Sequence, residues 1–332
     1  MAKIDFKLKI VSPIFIGSGN KLTPLNYIIK GNFLYKIKES AFIKYLLEDD
    51  KNRFMQIIDS DNIGNINRYY LDKFDVNNKN LYFTRLSVTT ELSNKYNSII
   101  GSYDNQGLID EFITNSLSGK PYIPGSTLKG SFRTAILTKL LQHQKINPDA
   151  PRDIEMTLLK ALNDQGNPSI PDDPFKNFKI GDMNFSQSLK VSKSENVKPG
   201  RNSKIPEFRE ILMPSENIIS GQISVHKDFI SYFSNKLNSN ISDMKNFLIE
   251  CLNEFYQPVL TQDKAFFSDM RGFGFTNIST KLETAMNTIN KSIIRVGKGQ
   301  GTNSFSIKNH SSLTRNVVEN MPFGWCEIEF SE

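Results

Sequence analysis

Lys129 and Arg133 are the first side chains to suggest chemistry, because they stand four residues apart where the sequence starts a helix. Pro124-Gly125 makes a turn, Ser126 is a natural N-cap, and Leu128, Phe132, Ala135, Ile136 and Leu140 mark the buried face. A helix start carries partial positive charge, so two cations gathered there are locally unfavourable. They make sense if a phosphate sits on the free N–H groups of Ser126, Thr127 and Leu128 with Lys129 and Arg133 beside it. The alternative is a solvated helix face behind a good cap. No Walker pattern is present.

Two glycine clusters could let a sugar-phosphate chain approach the backbone. Arg295-Val296-Gly297-Lys298-Gly299-Gln300-Gly301 supplies charge through Arg295 and Lys298, and Ile16-Gly17-Ser18-Gly19 ends the first strand in a glycine loop. A flexible hairpin tip explains the former equally well, and a plain strand-turn-strand connection the latter. Residues 187–209 carry Lys190, Lys193, Lys198, Arg201, Lys204 and Arg209 among polar and turn residues. They read as a solvated loop or as a projecting hairpin that lies along nucleic acid.

Cysteine, histidine and metal chemistry are poorly supported. Cys251, Cys326, His143, His226 and His310 are scattered without ligand spacing, so neither a zinc site nor a cofactor is expected. Lys plus Arg is 41 against 35 Asp plus Glu, a net charge of +6, which permits an acidic partner such as nucleic acid.

The elements that must position these residues follow from the hydrophobic pattern. Ile4, Phe6, Leu8 and Ile10 alternate with Asp5, Lys7 and Lys9, and Cys326, Ile328 and Phe330 alternate with Glu327 and Glu329. The chain therefore begins and ends in half-buried strands of opposite exposed charge, which could pair. Residues 41–58 read as helical, and Met244, Phe247, Leu248, Cys251, Leu252 and Phe255 mark a strong amphipathic helix. Residues 26–36, 81–89 and 218–225 read as strands, and 59–67, 163–173 and 234–242 as loops. This irregular order fits an α+β protein with antiparallel sheets. At 332 residues the chain has room for two domains. Apolar runs fall short of a membrane span, and charges interrupt the start where a signal peptide needs an apolar core, so a cytoplasmic protein is expected.

In this order, the glycine-bearing segments resemble the RAMP superfamily of CRISPR-associated RNA-binding proteins, and within it the fifth subunits of type III-A Csm effector complexes. The match rests on Ser12-Pro13 with Ile16-Gly17-Ser18-Gly19, on Pro121-Tyr122-Ile123-Pro124-Gly125-Ser126-Thr127-Leu128-Lys129-Gly130 with Arg133, on Ile180-Gly181-Asp182, on Arg209-Glu210-Ile211 with Pro214, and on Ile294 to Gly301. The resemblance implies two ferredoxin-like (RRM-like) modules with antiparallel sheets, helical insertions and a projecting β-hairpin. Residues 1–180 would form the N-terminal RNA-binding module, and 181–332 the C-terminal one with the basic hairpin and Gly-rich loop.

It further implies a non-catalytic subunit that binds guide RNA (crRNA), meets target RNA and the backbone subunits, and caps the filament at the 3′ side of the guide. The role would support guide maturation and antiviral defence. The expected RNA contacts are Gly17, Ser18, Gly19, Ser126, Thr127, Lys129, Arg133, Lys193, Lys198, Arg201, Arg295, Gly297, Lys298, Gly299 and Gly301, with no catalytic or metal-binding residue. Backbone subunits of such complexes cut target RNA with an aspartate shortly after the N-terminal glycine motif. The matching loop here, residues 20–26, has no carboxylate. The rival reading is an endoribonuclease acting on precursor guide RNA. That chemistry usually needs a general base, commonly His, and none of the three histidines lies in a motif. A general RNA-binding protein outside CRISPR is the third reading. Asp104 and Asp182 are the nearest acids by context; Asp104 lacks a partner acid, and Asp182 reads as capping or positioning a strand end.

Overall fold

The computed structural model describes residues 1–59, 63–99, 107–144, 154–159, 161, 165, 169–198, 207–268, 270, 272–299 and 314–331. In chain order, β1 (Ala2–Ile10) and β2 (Gly17–Leu22) precede a hairpin of β3 (Tyr27–Lys30) and β4 (Phe33–Ile37), then α1 (Glu39–Tyr45), α2 (Glu48–Asp59) and α3 (Ile63–Lys73). Next come β5 (Tyr82–Val88), α4 (Thr90–Ile99), β6 (Ile109–Phe112), β7 (Tyr122–Ile123), α5 (Gly125–Gln144), α6 (Ile154–Leu159), β8 (Phe178–Ile180) and β9 (Met183–Asn184). The remainder is β10 (Lys190–Val197), β11 (Glu207–Ile211), β12 (Ile218–Val225), α7 (Lys227–Lys236), α8 (Met244–Ser268), α9 (Phe275–Met286), β13 (Lys291–Arg295), β14 (Arg315–Val318), β15 (Met321–Pro322) and β16 (Trp325–Phe330).

One sheet runs β13-β16-β1-β12-β8, with every pairing antiparallel. The two ends of the chain do pair, setting Lys7 opposite Glu329 and Lys9 opposite Glu327 on the charged face. On the other face α5 and α8 pack together, and Phe132 of α5 meets Phe178 and Phe330. The succession β1-α5-β8-β12-α8-β13 fits a ferredoxin-like arrangement into which β16 has been inserted between β13 and β1. The expected boundary between residues 180 and 181 passes through this sheet. The reason is the pairing of distant strands: β1 lies between β12 and β16, so neither half of the chain can complete it alone.

The second sheet has nine strands, β2-β6-β11-β10-β5-β4-β3 with β14 and β15 attached at β10, and it is mixed, since β10 runs parallel to β5 and β11 parallel to β6. It curls. Lys36 on β4 reaches past β5 and β10 to Glu111 (2.8 Å) on β6 and Glu210 (2.7 Å) on β11. Burial pushes the Glu210 carboxyl up, partly offset by Lys36, and Lys36 itself is raised by the two carboxylates in spite of its desolvation.

Three expectations need correction. The described ends of the basic stretch 187–209 are built into the sheet rather than free in solvent: β10 and β11 pair with each other as inner strands with Val191, Val197, Phe208 and Ile211 buried, and residues 199–206, the part that would project, lie outside the described residues. The Asn-rich stretch 59–67 runs into α3, because Tyr69, Tyr70 and Phe74 pack beside Phe42 and Phe54 in a second core over β4. Finally, the helix expected over 41–58 is two helices, broken at Leu46, whose backbone is extended.

Candidate nucleic-acid interface

The three glycine segments meet. Gly17 pairs with Phe112 at the end of β6, and the Ile113 N–H donates to the Ile16 carbonyl (2.8 Å). Thr114 bridges Pro121, Ile123 pairs with Met183, and the Gly125 N–H donates to Asp182 Oδ1 (2.8 Å). From the other side the Lys298 N–H donates to the Phe15 carbonyl (2.7 Å).

Gly297 and Gly125 permit close approach, but of the chain to itself. Gly297 adopts φ +90°, and a Cβ there would lie 2.4 Å from the Phe15 carbonyl oxygen. Gly299 has φ +88° and packs on the Phe323 ring. By contrast Gly17, Ser18 and Gly19 lie on the exposed edge strand β2. Its pairing with β6 shifts register between Gly17 and Lys21.

The helix start also differs from expectation. α5 begins at Gly125, so Ser126 is inside the first turn and exposed, Thr127 is half-buried, and the capping acceptor comes from Asp182 across the chain. The cause is the turn itself: Pro124 offers its carbonyl to the Thr127 N–H (3.0 Å), which starts the helix two residues early. Asp182, expected to cap or position a strand end, instead accepts from the start of a helix.

Lys129 is half-buried, and among the described residues it forms no ion pair. Desolvation lowers its pKa; Asp173 opposes the shift, while Arg133 and Lys179 add to it. Arg133, expected on the same free face, is engaged internally. Its Nε donates to Glu155 (3.1 Å), its Nη1 to Asp173 (2.7 Å), and the guanidinium lies 4.7 Å from the Phe175 ring centre. α6 and the short 3₁₀ turn Pro174–Asn177 supply these groups and cover that side of α5.

Arg295 is corrected most sharply. It is 1% exposed, and it donates to the Phe323 carbonyl from Nε (3.2 Å) and Nη2 (2.6 Å) and to Asp263 from Nη1 (3.0 Å). Lys298 beside it is exposed. Lys193 pairs with Glu91 (2.9 Å) and Glu195 (2.7 Å), and Lys198 is half-exposed. Arg201 and Gly301 lie outside the described residues, as does Asp104.

One acid escaped sequence reading. Asp110 on β6 sits opposite Lys21 and pairs with it (3.2 Å) and with Arg209 Nε (3.3 Å). The loop that follows β2 has no carboxylate of its own, yet the paired strand brings one to its base. Only the register of β2 on β6 reveals this. Arg209, counted above with the projecting basic residues, is 6% exposed, bonds Glu207 as well, and lies near the Phe15 and Phe323 rings. Among the described residues no group of three or more His, Cys, Asp or Glu could hold a metal ion, and no helix is long and apolar enough to cross a membrane.

Comparison with known proteins agrees with this architecture. The RAMP superfamily profile matches residues 7–303. A protein of Methanocaldococcus jannaschii described as "CRISPR system Cms protein Csm5" is 28% identical over 187 residues, 54% of this chain; the match spans 42% of that protein. A chain of the cryo-EM structure of a Csm–crRNA–target RNA ternary complex from a type III-A CRISPR-Cas system has the same fold, with a TM-score of 0.72 at 20% identity over 99% of this chain and 100% of that one. The crystal structure of T. onnurineus Csm5 gives 0.65 at 20% identity over 96% and 99%. The chain belongs to the RAMP superfamily, and its likeness within that family is to Csm5-type subunits.

Proposed function

We propose that this protein is a non-catalytic subunit of a type III-A effector complex, acting in the cytoplasm, that binds guide RNA and joins the backbone subunits, where target RNA is engaged. The observation that carries the reading is the backbone junction of the three glycine segments, on which Gly17–Gly19, Ser126 and Lys298 are exposed and Lys129 is half-buried in the first turns of α5. Family membership and the likeness to a chain of a guide-containing complex support it.

Lys129 is the test of the phosphate contact. Lys129→Ala should weaken binding of a labelled single-stranded guide RNA and flatten the dependence of log affinity on log salt by about 0.7. Arg133→Ala should instead lower stability in urea with little change of slope, since its charge is already matched by Glu155 and Asp173. A slope unchanged in Lys129→Ala would remove this face from the RNA path.

The rival endoribonuclease has one observation in its favour, Asp110 beside the glycine edge. Its two ion pairs, to Lys21 and Arg209, argue for a structural role, because a base or metal ligand needs free lone pairs. His226 accepts from the Asp228 N–H at the start of α7, away from the junction. Purified protein is therefore expected to leave labelled precursor and target RNA intact with magnesium or manganese. Cleavage that disappears in Asp110→Ala or Asp182→Ala would make the protein an enzyme.

A further inference from the structure

Strand β5 presents a row with no part in the junction. Its even positions Leu86 and Val88 are buried, and the odd positions Phe83, Arg85 and Ser87 face solvent. Phe83 is 71% exposed, an unusual fate for a large aromatic on a strand of a well-packed sheet. Two cations accompany it. Lys38 Nζ stands 5.3 Å from the Phe83 ring centre, and the Arg85 guanidinium lies 3.9 Å from the centre of the half-buried Phe33 ring. Among the described residues neither Lys38 nor Arg85 has a carboxylate within ion-pair distance.

A partly apolar patch could meet protein or nucleic acid, and the charge decides between them. An aromatic ring and a guanidinium on alternate residues of one strand, whose backbones are about 6.6 Å apart, with both nearby charges positive and unmatched, form a stacking platform beside phosphate-binding groups. A protein-binding patch would have no need of two unmatched cations at its centre.

We propose that Phe83, Arg85 and Lys38 form a second binding site, for single-stranded nucleic acid. One base stacks on Phe83, its neighbour lies on the outer face of the Arg85 guanidinium held flat by Phe33, and Lys38 takes a backbone phosphate. The site goes beyond the guide contact at Lys129 and is separable from it, because the two share no residue.

The test uses the full chain and a short, labelled, unstructured strand, as RNA and as DNA of the same sequence, titrated at several salt concentrations. Phe83→Ala should weaken binding about fivefold to a hundredfold with the salt slope unchanged. Arg85→Ala and Lys38→Ala should each flatten the slope by about 0.7. Phe83→Trp should retain binding, and its emission should be quenched by the bound strand; the native indole, Trp325, is buried and supplies a constant background. Loss on RNA and DNA alike would identify stacking as the main interaction, and loss on RNA alone would add recognition of the 2′-hydroxyl; either supports the site. Affinity within about twofold of the parent in Phe83→Ala, while Lys129→Ala loses affinity, would overturn the site and leave the guide contact standing. Unchanged nucleic-acid binding with weakened attachment to other complex subunits would reassign the row to a protein contact and likewise overturn it. A parent chain that binds no single strand would overturn both.

Discussion

Asp263→Ala is expected to cost about 3–5 kcal/mol of stability, a large share of what a folded protein has to lose. Asp263 is fully buried in α8 and accepts from Arg295 Nη1 (3.0 Å), Arg315 Nε (2.6 Å) and Trp325 Nε1 (3.2 Å). Burial disfavours the charge on Arg295, Asp263 favours it, and Arg315 opposes it. Without the carboxylate two guanidiniums share a site from which water is excluded, and the indole N–H loses its acceptor. The loss reaches beyond one helix, because β13 and β16 belong to the five-stranded sheet and β14, which carries Arg315, to the nine-stranded one. Asp263→Asn keeps an acceptor oxygen without the charge and should fall between the parent and the alanine variant. Urea unfolding of the three proteins checks the order. A cost below about 1 kcal/mol for the alanine variant would mean that the cluster does not join the two sheets energetically.

The same cluster explains why the sequence misleads at Arg295. An arginine before Gly-Lys-Gly has the composition of a phosphate loop, and nothing local distinguishes a solvent-facing guanidinium from one matched by an aspartate 32 residues earlier. Arg133 fails for the same reason, since its partners Glu155 and Asp173 lie 22 and 40 residues away. The strands whose partners mattered least were the most legible. β1, β12 and β16 alternate cleanly because one face is core and the other is charged, and α8 carries its apolar face at helical spacing. β10 hid its burial because Ser192 and Ser194 occupy inward positions that composition assigns to a polar loop. The glycines announced close approach correctly, but residue type alone does not say whether the neighbour is RNA or the chain's own carbonyl groups. Lys129 was legible as a cation at a helix start, and its half-buried setting was not.

The other large effect is expected within one helix, as a pair of opposite signs. Gly125 and Gly130 both lie in α5, where alanine has the higher intrinsic helix propensity by about 0.8–1.0 kcal/mol. At Gly130 an added Cβ meets nothing within 4 Å, so Gly130→Ala should stabilise by about 0.5–1 kcal/mol. At Gly125 the added Cβ would stand 2.0 Å from the Ile180 carbonyl oxygen, 2.7 Å from its carbon and 3.0 Å from the Gly181 carbonyl carbon. These are backbone atoms and cannot rotate away as a side chain could. The helix start must therefore withdraw from residues 180–182, which breaks the bond from the Gly125 N–H to Asp182 and strains β8, an edge strand held to β12 by only three residue pairs. Overpacking costs about 1–3 kcal/mol and a lost cap about 1 kcal/mol, so Gly125→Ala should destabilise by about 1–3 kcal/mol once the propensity gain of about 1 kcal/mol is subtracted. Because the withdrawal also displaces Ser126 and Lys129, RNA affinity should fall with stability in Gly125→Ala. Paired urea titrations decide the matter: two stabilised variants would mean that the helix start is free to move, and that the contact with residues 180–182 does not fix where Lys129 stands.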